Sequence, residues 1–398
     1  MVSAQRATTR WVTRSIPFFL IGFVGFTSYV VVQRICLDFF LTRQQKPGTA
    51  TAFLVVYSLT LLLALIAYLR VLFVIIYNPG VVPLGPNAVT QREENKKTRR
   101  MLGRQDDIEA KSANPPPDEN PDSPGLEAFY SKDVFVCNED GRPKWCASCC
   151  NWKPDRAHHC SELERCCLKM DHFCPWVGGI VGEPSYKFFT QFTFYATLYW
   201  GAVIAATAFA LQQSKSSGAG IDGFYIGALG LGCFFVIFTF TMTGTAVRYI
   251  CMNLTNVDYL KSKVVVHCLA IRVPQGTPPG PNYGIITYPL PRQDDRAPSP
   301  NLSGQTVTEN NTNSPRDLLA SRSFAIVKTQ IGENPWDLGP FRNWKSVMGN
   351  NIIDWLLPIN IPPNYVSNES MYEMGPLYPE LRRRYGLPDI EHESKTPG

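Results

Sequence analysis

Residues Lys144 to Gly182 read KWCASCCNWKPDRAHHCSELERCCLKMDHFCPWVGGIVG, and the rest of the chain is arranged around them. Seven of the twelve cysteines and three of the five histidines lie in this stretch. Cys146 and Cys149 form a C-x2-C pair, the spacing of a tight metal-binding turn. His159 and Cys166 supply a third and a fourth donor, completing a closed Cys3His set of the kind zinc takes in structural sites. Any one of the four would be no more than a buried thiol or a surface imidazole; together at this spacing they point to metal. A disulfide scaffold is the competing reading. It is disfavoured because the cysteines stand beside histidines and no cleavable secretory signal precedes them. Arg6, Arg10 and Arg14 do lead into an apolar run, but that run ends in VVVQR, without a small-residue cleavage site.

Outside this stretch the chain alternates between very apolar and very polar blocks. A membrane helix needs ~20 mostly apolar residues, and four runs reach that length: Ser15–Val32, about Thr51–Ile76, Phe188–Leu211 and Gly223–Val247. Arg70 sits near one end of the second, where its long side chain can snorkel to the headgroups. The expected fold is therefore an α-helical polytopic membrane protein with four transmembrane helices and a zinc-binding cysteine-rich domain between helices 2 and 3. Four crossings put both termini on one side. Lys215 is the lone basic residue between helices 3 and 4, whereas Arg248, Lys261, Lys263 and Arg272 follow helix 4. That asymmetry places both termini and the cysteine-rich domain in the cytosol, where free thiolates and zinc are also at home; endomembrane and plasma membrane remain equal choices. The net charge of +5 comes without Lys/Arg runs interleaved with aromatics, so it suits an anionic lipid surface and not nucleic acid.

The expected organisation is as follows. Residues 1–77 are the N-terminal tail and helices 1–2, and 78–133 a partly disordered cytosolic linker rich in charge and proline. Residues 134–187 are the cysteine-rich domain, and 188–251 hold helices 3–4. Residues 252–398 are a tail with a disordered insert at 274–315 and an ordered segment at 334–359. That segment, NPWDLGPFRNWKSVMGNNIIDWLLPI, is rich in aromatic and apolar residues and needs a surface to dock on, either the membrane or the cysteine-rich domain. Sequons at Asn301, Asn310 and Asn368 would matter only in a lumenal tail and are read as chance.

Cys174 stands apart from the metal donors. It follows Asp171, His172 and Phe173 and precedes Pro175 and Trp176. A thiol with a free pKa of ~8.5 is only partly ionised near neutrality, so a nucleophilic cysteine gains from a nearby base. His172 can take the proton, and Asp171 can hold the tautomer and stabilise the imidazolium. Adjacency alone does not make these side chains converge.

Residues Lys144 to Phe189 resemble the cysteine-rich domain of the Asp-His-His-Cys family of protein S-acyltransferases. The residues carrying the resemblance are Cys146 and Cys149, Lys153-Pro154, His158-His159-Cys160-Ser161, Cys166, Met170-Asp171-His172, Cys174-Pro175-Trp176, Val181-Gly182 and Phe189. Asn78-Pro79-Gly80 after helix 2 and the tail segment agree with it. The resemblance implies a two-step transfer of a long-chain acyl group, with palmitoyl the expected chain. Cys174 takes the chain from acyl-CoA, with His172 as base and Asp171 as orienter, and passes it to cytosolic cysteines of membrane-apposed proteins. A catalytically silent zinc-binding membrane adaptor is the alternative. The retained Asp171, His172 and Cys174 favour the enzyme. A channel or transporter is disfavoured because Arg70 is the only ionisable residue along the helices.

Departures from the family pattern sharpen these expectations. The first zinc site is complete, but three of the four positions of a second one hold Leu163, Phe173 and Ile180, with Cys160 the fourth. One structural Zn2+ is expected, with those three side chains as a hydrophobic staple; Cys150, Cys160 and Cys167 are the only thiols that would rescue a second. Gly178 and Gly179 replace a usual Asn pair and are expected to loosen the turn. The family's Thr-Thr-x-Glu motif appears as Thr255-Asn256-Val257-Asp258, and Asn334 matches a position linked to the same packing. Tyr195, Tyr199 and Trp200 on helix 3 are either packing residues or, in the case of Tyr199, the end of an acyl cavity. Tyr199 lies eleven residues beyond Phe188, or ~16 Å along a helix, within reach of a sixteen-carbon chain.

Overall fold

The computed structural model describes residues 2–85, 88–89, 125–218, 220, 222–262, 266–288, 321–365 and 371–389. The linker residues 91–124, the three sequons and the second half of the 274–315 insert fall outside the described residues. The α-helices of five residues or more are α1 (Val2–Ser28), α2 (Pro47–Tyr77), α3 (Tyr186–Ser216), α4 (Gly223–Cys251), α5 (Asn256–Ser262), α6 (Pro340–Met348), α7 (Ile352–Leu356) and α8 (Leu377–Arg384). The strands are β1 (Val134–Cys137), β2 (Trp145–Cys146), β3 (Asn151–Trp152), β4 (His158–Cys160), β5 (Arg165–Cys167), β6 (His172–Cys174), β7 (Gly179–Val181), β8 (Cys268–Val273), β9 (Gly284–Tyr288) and β10 (Arg322–Lys328). They fall into two compact units, one of Met1–Gly80, Met170–Val257 and Gly339–Val366, the other of Val81–Lys169, Asp258–Leu338 and Ser367–Gly398.

The first unit holds four helices long and apolar enough to cross a bilayer. Helix α1 runs on as a π-helix, Tyr29–Arg43, so the first span covers Trp11–Arg43 and exceeds the expected Ser15–Val32. The extension escaped the apolar count because it carries Gln33, Arg34 and Asp38 among its buried Val30, Val31, Ile35, Phe39 and Phe40. Helix α2 begins with Pro47 in its first turn, where a missing N–H costs nothing. It ends at Tyr77, before Asn78-Pro79, because the residue preceding proline is driven out of the helical region. Asp222 starts α4: one carboxylate oxygen accepts the Phe224 N–H at 2.9 Å, and the other takes Arg34 Nη2 at 2.6 Å. Buried Tyr57, Tyr199, Trp200, Val203 and Phe235 fill the bundle, with Trp200 stacked on Phe235 at 4.7 Å. The chain is an α-helical polytopic membrane protein.

The second unit carries a four-stranded antiparallel sheet in the order β1-β8-β10-β9. Alternation along β8 sends Leu269 and Ile271 to one core, with Val327, Trp336 and Leu381, and Ala270 to another, with Phe135, Tyr288 and Phe324. Both faces are thus covered, α8 contributing Leu381 to the first. This sheet corrects the expected organisation. Strand β9 lies inside the insert 274–315, and β8, β9 and β10 pair residues of the tail with β1, which precedes the zinc ligands.

Candidate active site and metal centre

Two short hairpins build the metal centre in the second unit. Strands β2 and β3 hold Cys146 and Cys149 at a turn closed by the Cys149 N–H donating to the Cys146 carbonyl at 3.2 Å. Strands β4 and β5 set His159 directly opposite Cys166. His159 Nδ1 lies 3.5 Å from Cys146 Sγ, 3.4 Å from Cys149 Sγ and 3.9 Å from Cys166 Sγ. All four donor atoms lie within 4.8 Å of one another. Tetrahedral zinc with bonds of ~2.3 Å to sulfur and ~2.05 Å to nitrogen puts N and S about 3.6 Å apart, so the donor set fits Zn2+. Cys166 is pushed far above the ordinary thiol range, first by hydrogen bonds with Cys146 and Cys149 and then by burial. Burial beside two further thiols opposes ionisation of Cys166, the condition a divalent cation reverses. Among the described residues no second group of donors gathers. Cys150 and Cys167 instead donate to the backbone carbonyls of Ala147 and Arg165. Phe173 stands opposite a buried Ile180 across β6–β7, and Leu163 is half-buried in the β4–β5 turn.

The β6–β7 hairpin of the first unit supplies what adjacency could not. Side chains two apart on a strand share a face, so His172 and Cys174 project together while Phe173 points the other way. Asp171 Oδ2 accepts from His172 Nδ1 at 2.6 Å, and Asp171 Oδ1 accepts the backbone N–H of Asn256, also at 2.6 Å. The His172 ring meets Phe189 edge-on at 5.3 Å. Burial would lower the imidazole's pKa, but hydrogen bonds to Asp171 and Cys174, reinforced by their charges, raise it to about 9. The Gly178-Gly179 pair tightens this hairpin and does not loosen it. Gly178, at φ +73°, closes the 3-10 turn Pro175–Val177, and a Cβ on Gly179 would fall 2.4 Å from Ile75 Cγ2 of α2.

Cys174, His172 and Asp171 open onto a cavity of about 920 Å3 inside the first unit. Its walls are Leu20 and Val24 of α1, Leu61 and Leu72 of α2, Phe192 of α3 and Met242 of α4. That size lies within the ~300–1,000 Å3 usual for ligand sites, and the lining is overwhelmingly apolar. Tyr199 also lines it, donating to or accepting from Thr27 Oγ1 at 2.7 Å and Tyr57 OH at 3.2 Å, while Tyr57 meets Ser28 Oγ at 2.7 Å.

Comparison with known proteins decides what this arrangement belongs to. The DHHC palmitoyltransferase family pattern matches residues 139–263. Palmitoyltransferase pfa5 of Aspergillus fumigatus is 36% identical over 99% of this chain and 94% of its own length. The chain belongs to the DHHC palmitoyltransferase family. Palmitoyltransferase pfa5 of Emericella nidulans is 36% identical over 94% of this chain and 86% of its own. Palmitoyltransferase ZDHHC3 of Rattus norvegicus is 41% identical over 30% of this chain and 42% of its own. As a DHHC palmitoyltransferase the chain is a protein S-acyltransferase, not a silent adaptor.

Within this DHHC protein several contacts were invisible in the sequence. In the motif Thr255-Asn256-Val257-Asp258, Asn256 acts through its backbone on Asp171, while Asp258 grips Arg156 at 2.6 and 3.2 Å. Asn334 makes a local turn by accepting the Trp336 N–H, whereas the buried Asn343 ties the tail to α4 by donating to the Cys251 carbonyl at 2.8 Å. A pocket of about 270 Å3 in the second unit is lined by Lys144, Lys153, Arg156 and Lys261 together with Asp155 and Asp258.

The His172 shift predicts a pH-dependent stability. The group titrates near 9 when folded and at ~6.5 when unfolded, so its contribution is complete below pH 6.5 and is lost as pH rises through 9. Asp171→Asn removes the charge that holds the proton. The difference in melting temperature between wild type and this variant is therefore expected to be several degrees at pH 6, of order 2 kcal/mol, and to shrink by pH 10. A gap that stays constant or widens with pH would exclude the assignment.

Proposed function

We propose that the chain transfers a palmitoyl-length group from acyl-CoA through an acyl-Cys174 thioester to cysteines of membrane-apposed proteins. The observation that carries this reading is the placement of Cys174 and a histidine backed by Asp171 on an apolar cavity walled by the membrane helices. Cys174 Sγ, its proton held by His172, attacks the thioester carbonyl carbon. The new S–C bond forms, the bond to the CoA sulfur breaks, and the proton on His172 goes to the departing thiolate. In the second step His172 takes the proton of the incoming substrate thiol, whose sulfur attacks the acyl carbon and releases Cys174. Each step exchanges one thioester for another and is nearly neutral in free energy, so the site has only to lower barriers.

Asp171 keeps the imidazole's Nδ1 engaged, leaving Nε2 for the proton in transit. The Asp-His-Phe-Cys variant leaves this relay intact because Phe173 points away from it. Cys146, Cys149, His159 and Cys166 would hold a single structural Zn2+, which supplies cross-linking of the two hairpins and no chemistry to the transfer. The basic residues after helix 4 and the reduced thiols favour a cytosolic cysteine-rich domain and termini. Incubating detergent-solubilised protein with labelled palmitoyl-CoA tests the proposal: label on the protein that resists neutral hydroxylamine, or no label, would overturn it.

Tyr199 is assigned the role of limiting chain length in this proposal. Its ring and hydroxyl are fixed by Thr27 and Tyr57, and burying each further methylene past it is worth ~0.8 kcal/mol once space exists. Tyr199→Ala is expected to move the preference between sixteen- and eighteen- or twenty-carbon acyl-CoAs toward the longer chains by about tenfold. Competition between the two thioesters measures this; an unchanged ratio removes Tyr199 from the cavity's end.

A further inference from the structure

The tail segment 352–361 has the polarity of a membrane surface and not of a soluble one. Ile352, Ile353 and Ile359 are 64%, 64% and 59% exposed, and Leu356 and Ile361 are exposed beside them. The one charged residue in the segment, Asp354, is only 8% exposed: its carboxylate accepts from Asn360 Nδ2, and its backbone N–H donates to Asn351 Oδ1 at 2.9 Å. A surface facing water would turn these groups the other way.

The segment's backbone is fastened to the membrane helices. Arg70 Nη2 of α2 donates to the Ile359 carbonyl at 3.1 Å. From α3, Lys187 Nζ donates to the Asn360 carbonyl at 3.0 Å, Gln191 Nε2 to the Asp354 and Trp355 carbonyls at 3.0 Å, and Tyr195 OH to the Leu356 carbonyl at 2.7 Å. The Asp354, Trp355 and Leu356 carbonyls are among those a short helix leaves unpaired at its C-terminal end. The Asp354 carboxylate and the segment's carbonyls thus face the bundle while its aliphatic side chains face outward, where Leu69, Phe73 and Ile76 of α2 are also exposed. Trp355 packs in the same apolar cluster as Cys174, which puts the segment at the Cys174 end of the bundle.

We infer that residues 352–361 are a fifth membrane contact, an interfacial element that inserts Ile352, Ile353, Leu356, Ile359 and Ile361 into the acyl region of one leaflet. At half the ~20 residues of a span it cannot cross; its one-sided polarity is that of an element lying in the interface. It also gives a role to Arg70, Lys187 and Gln191 at this end of α2 and α3: the tail's carbonyls accept from Arg70 Nη2, Lys187 Nζ and Gln191 Nε2 where lipid could not.

The test uses the full chain in phosphatidylcholine vesicles containing a little phosphatidylcholine with a mid-chain diazirine. After irradiation, peptides are mapped by mass spectrometry. Adducts are expected within 352–361 at a yield within about threefold of the outward residues of α2. In the double variant Ile353→Glu, Ile359→Glu, labelling of the segment should fall at least about fivefold while that of α2 stays unchanged. Absence of acyl-chain adducts in 352–361 of the wild type while α2 is labelled would overturn the inference. So would cross-links from the segment to a second copy of the chain. Neither readout needs activity, so failure here leaves the acyl-transfer proposal standing.

Discussion

Cys174→Ser is expected to lose at least about 10³-fold in the rate of label uptake from palmitoyl-CoA, equivalent to ~4 kcal/mol of barrier. The thiol has a free pKa of ~8.5 and gives up its proton readily to a neighbouring imidazole, whereas a serine hydroxyl does not ionise in this range. The substitution changes little else. Cys174 is buried in the β6–β7 hairpin, and serine is nearly isosteric, so melting temperature should stay within a degree or two of wild type. This separates loss of chemistry from loss of fold. His172→Ala, which removes the base but leaves the nucleophile, should retain more activity, with a loss of about 10²-fold, the lower end of the general-base range. Equal labelling of wild type and Cys174→Ser would show that another cysteine carries the acyl group. Cys36, Cys233 and Cys251, all on the membrane helices, would then be next.

Metal content is the second large effect. Purified protein is expected to hold one zinc per chain, and Cys149→Ser to hold close to none. The apolar core around the ligands is small: Val82, Ala157, Leu84 and Leu168 are its main members besides the cysteines. Apparent zinc affinities of ~10–16 kcal/mol in such sites exceed what so few side chains provide. Loss of one ligand should therefore lower the melting temperature by ten degrees or more, and a strong chelator should do the same to wild type. Two zinc ions per chain would overturn the one-site assignment and implicate Cys150, Cys160 and Cys167. One zinc retained in Cys149→Ser would place the ligands elsewhere.

The ligands and the Asp-His-x-Cys run were legible because both lie within a few dozen residues of one another, at spacings fixed by local turns. The four spans were legible because crossing a bilayer demands a continuous apolar length that few other contexts allow. What escaped was set by pairing over long separations. The partners Val134 and Ile271 are far apart in sequence, and no local propensity records that they meet. The same holds for Asn343 on the Cys251 carbonyl and Tyr199 on Thr27.

The sequence by itself therefore determined the membrane topology class, the candidate Cys3His donor set and Cys174 as the candidate nucleophile, because each is encoded in residue type and short spacing. Tertiary structure alone decided that His172 and Cys174 share one face, that Asp171 is held from a second side by the Asn256 backbone, and that their site opens on a cavity. Those outcomes depend on strand register and on helices meeting across the chain, and a hairpin slipped by one residue would have turned every one of these side chains the other way.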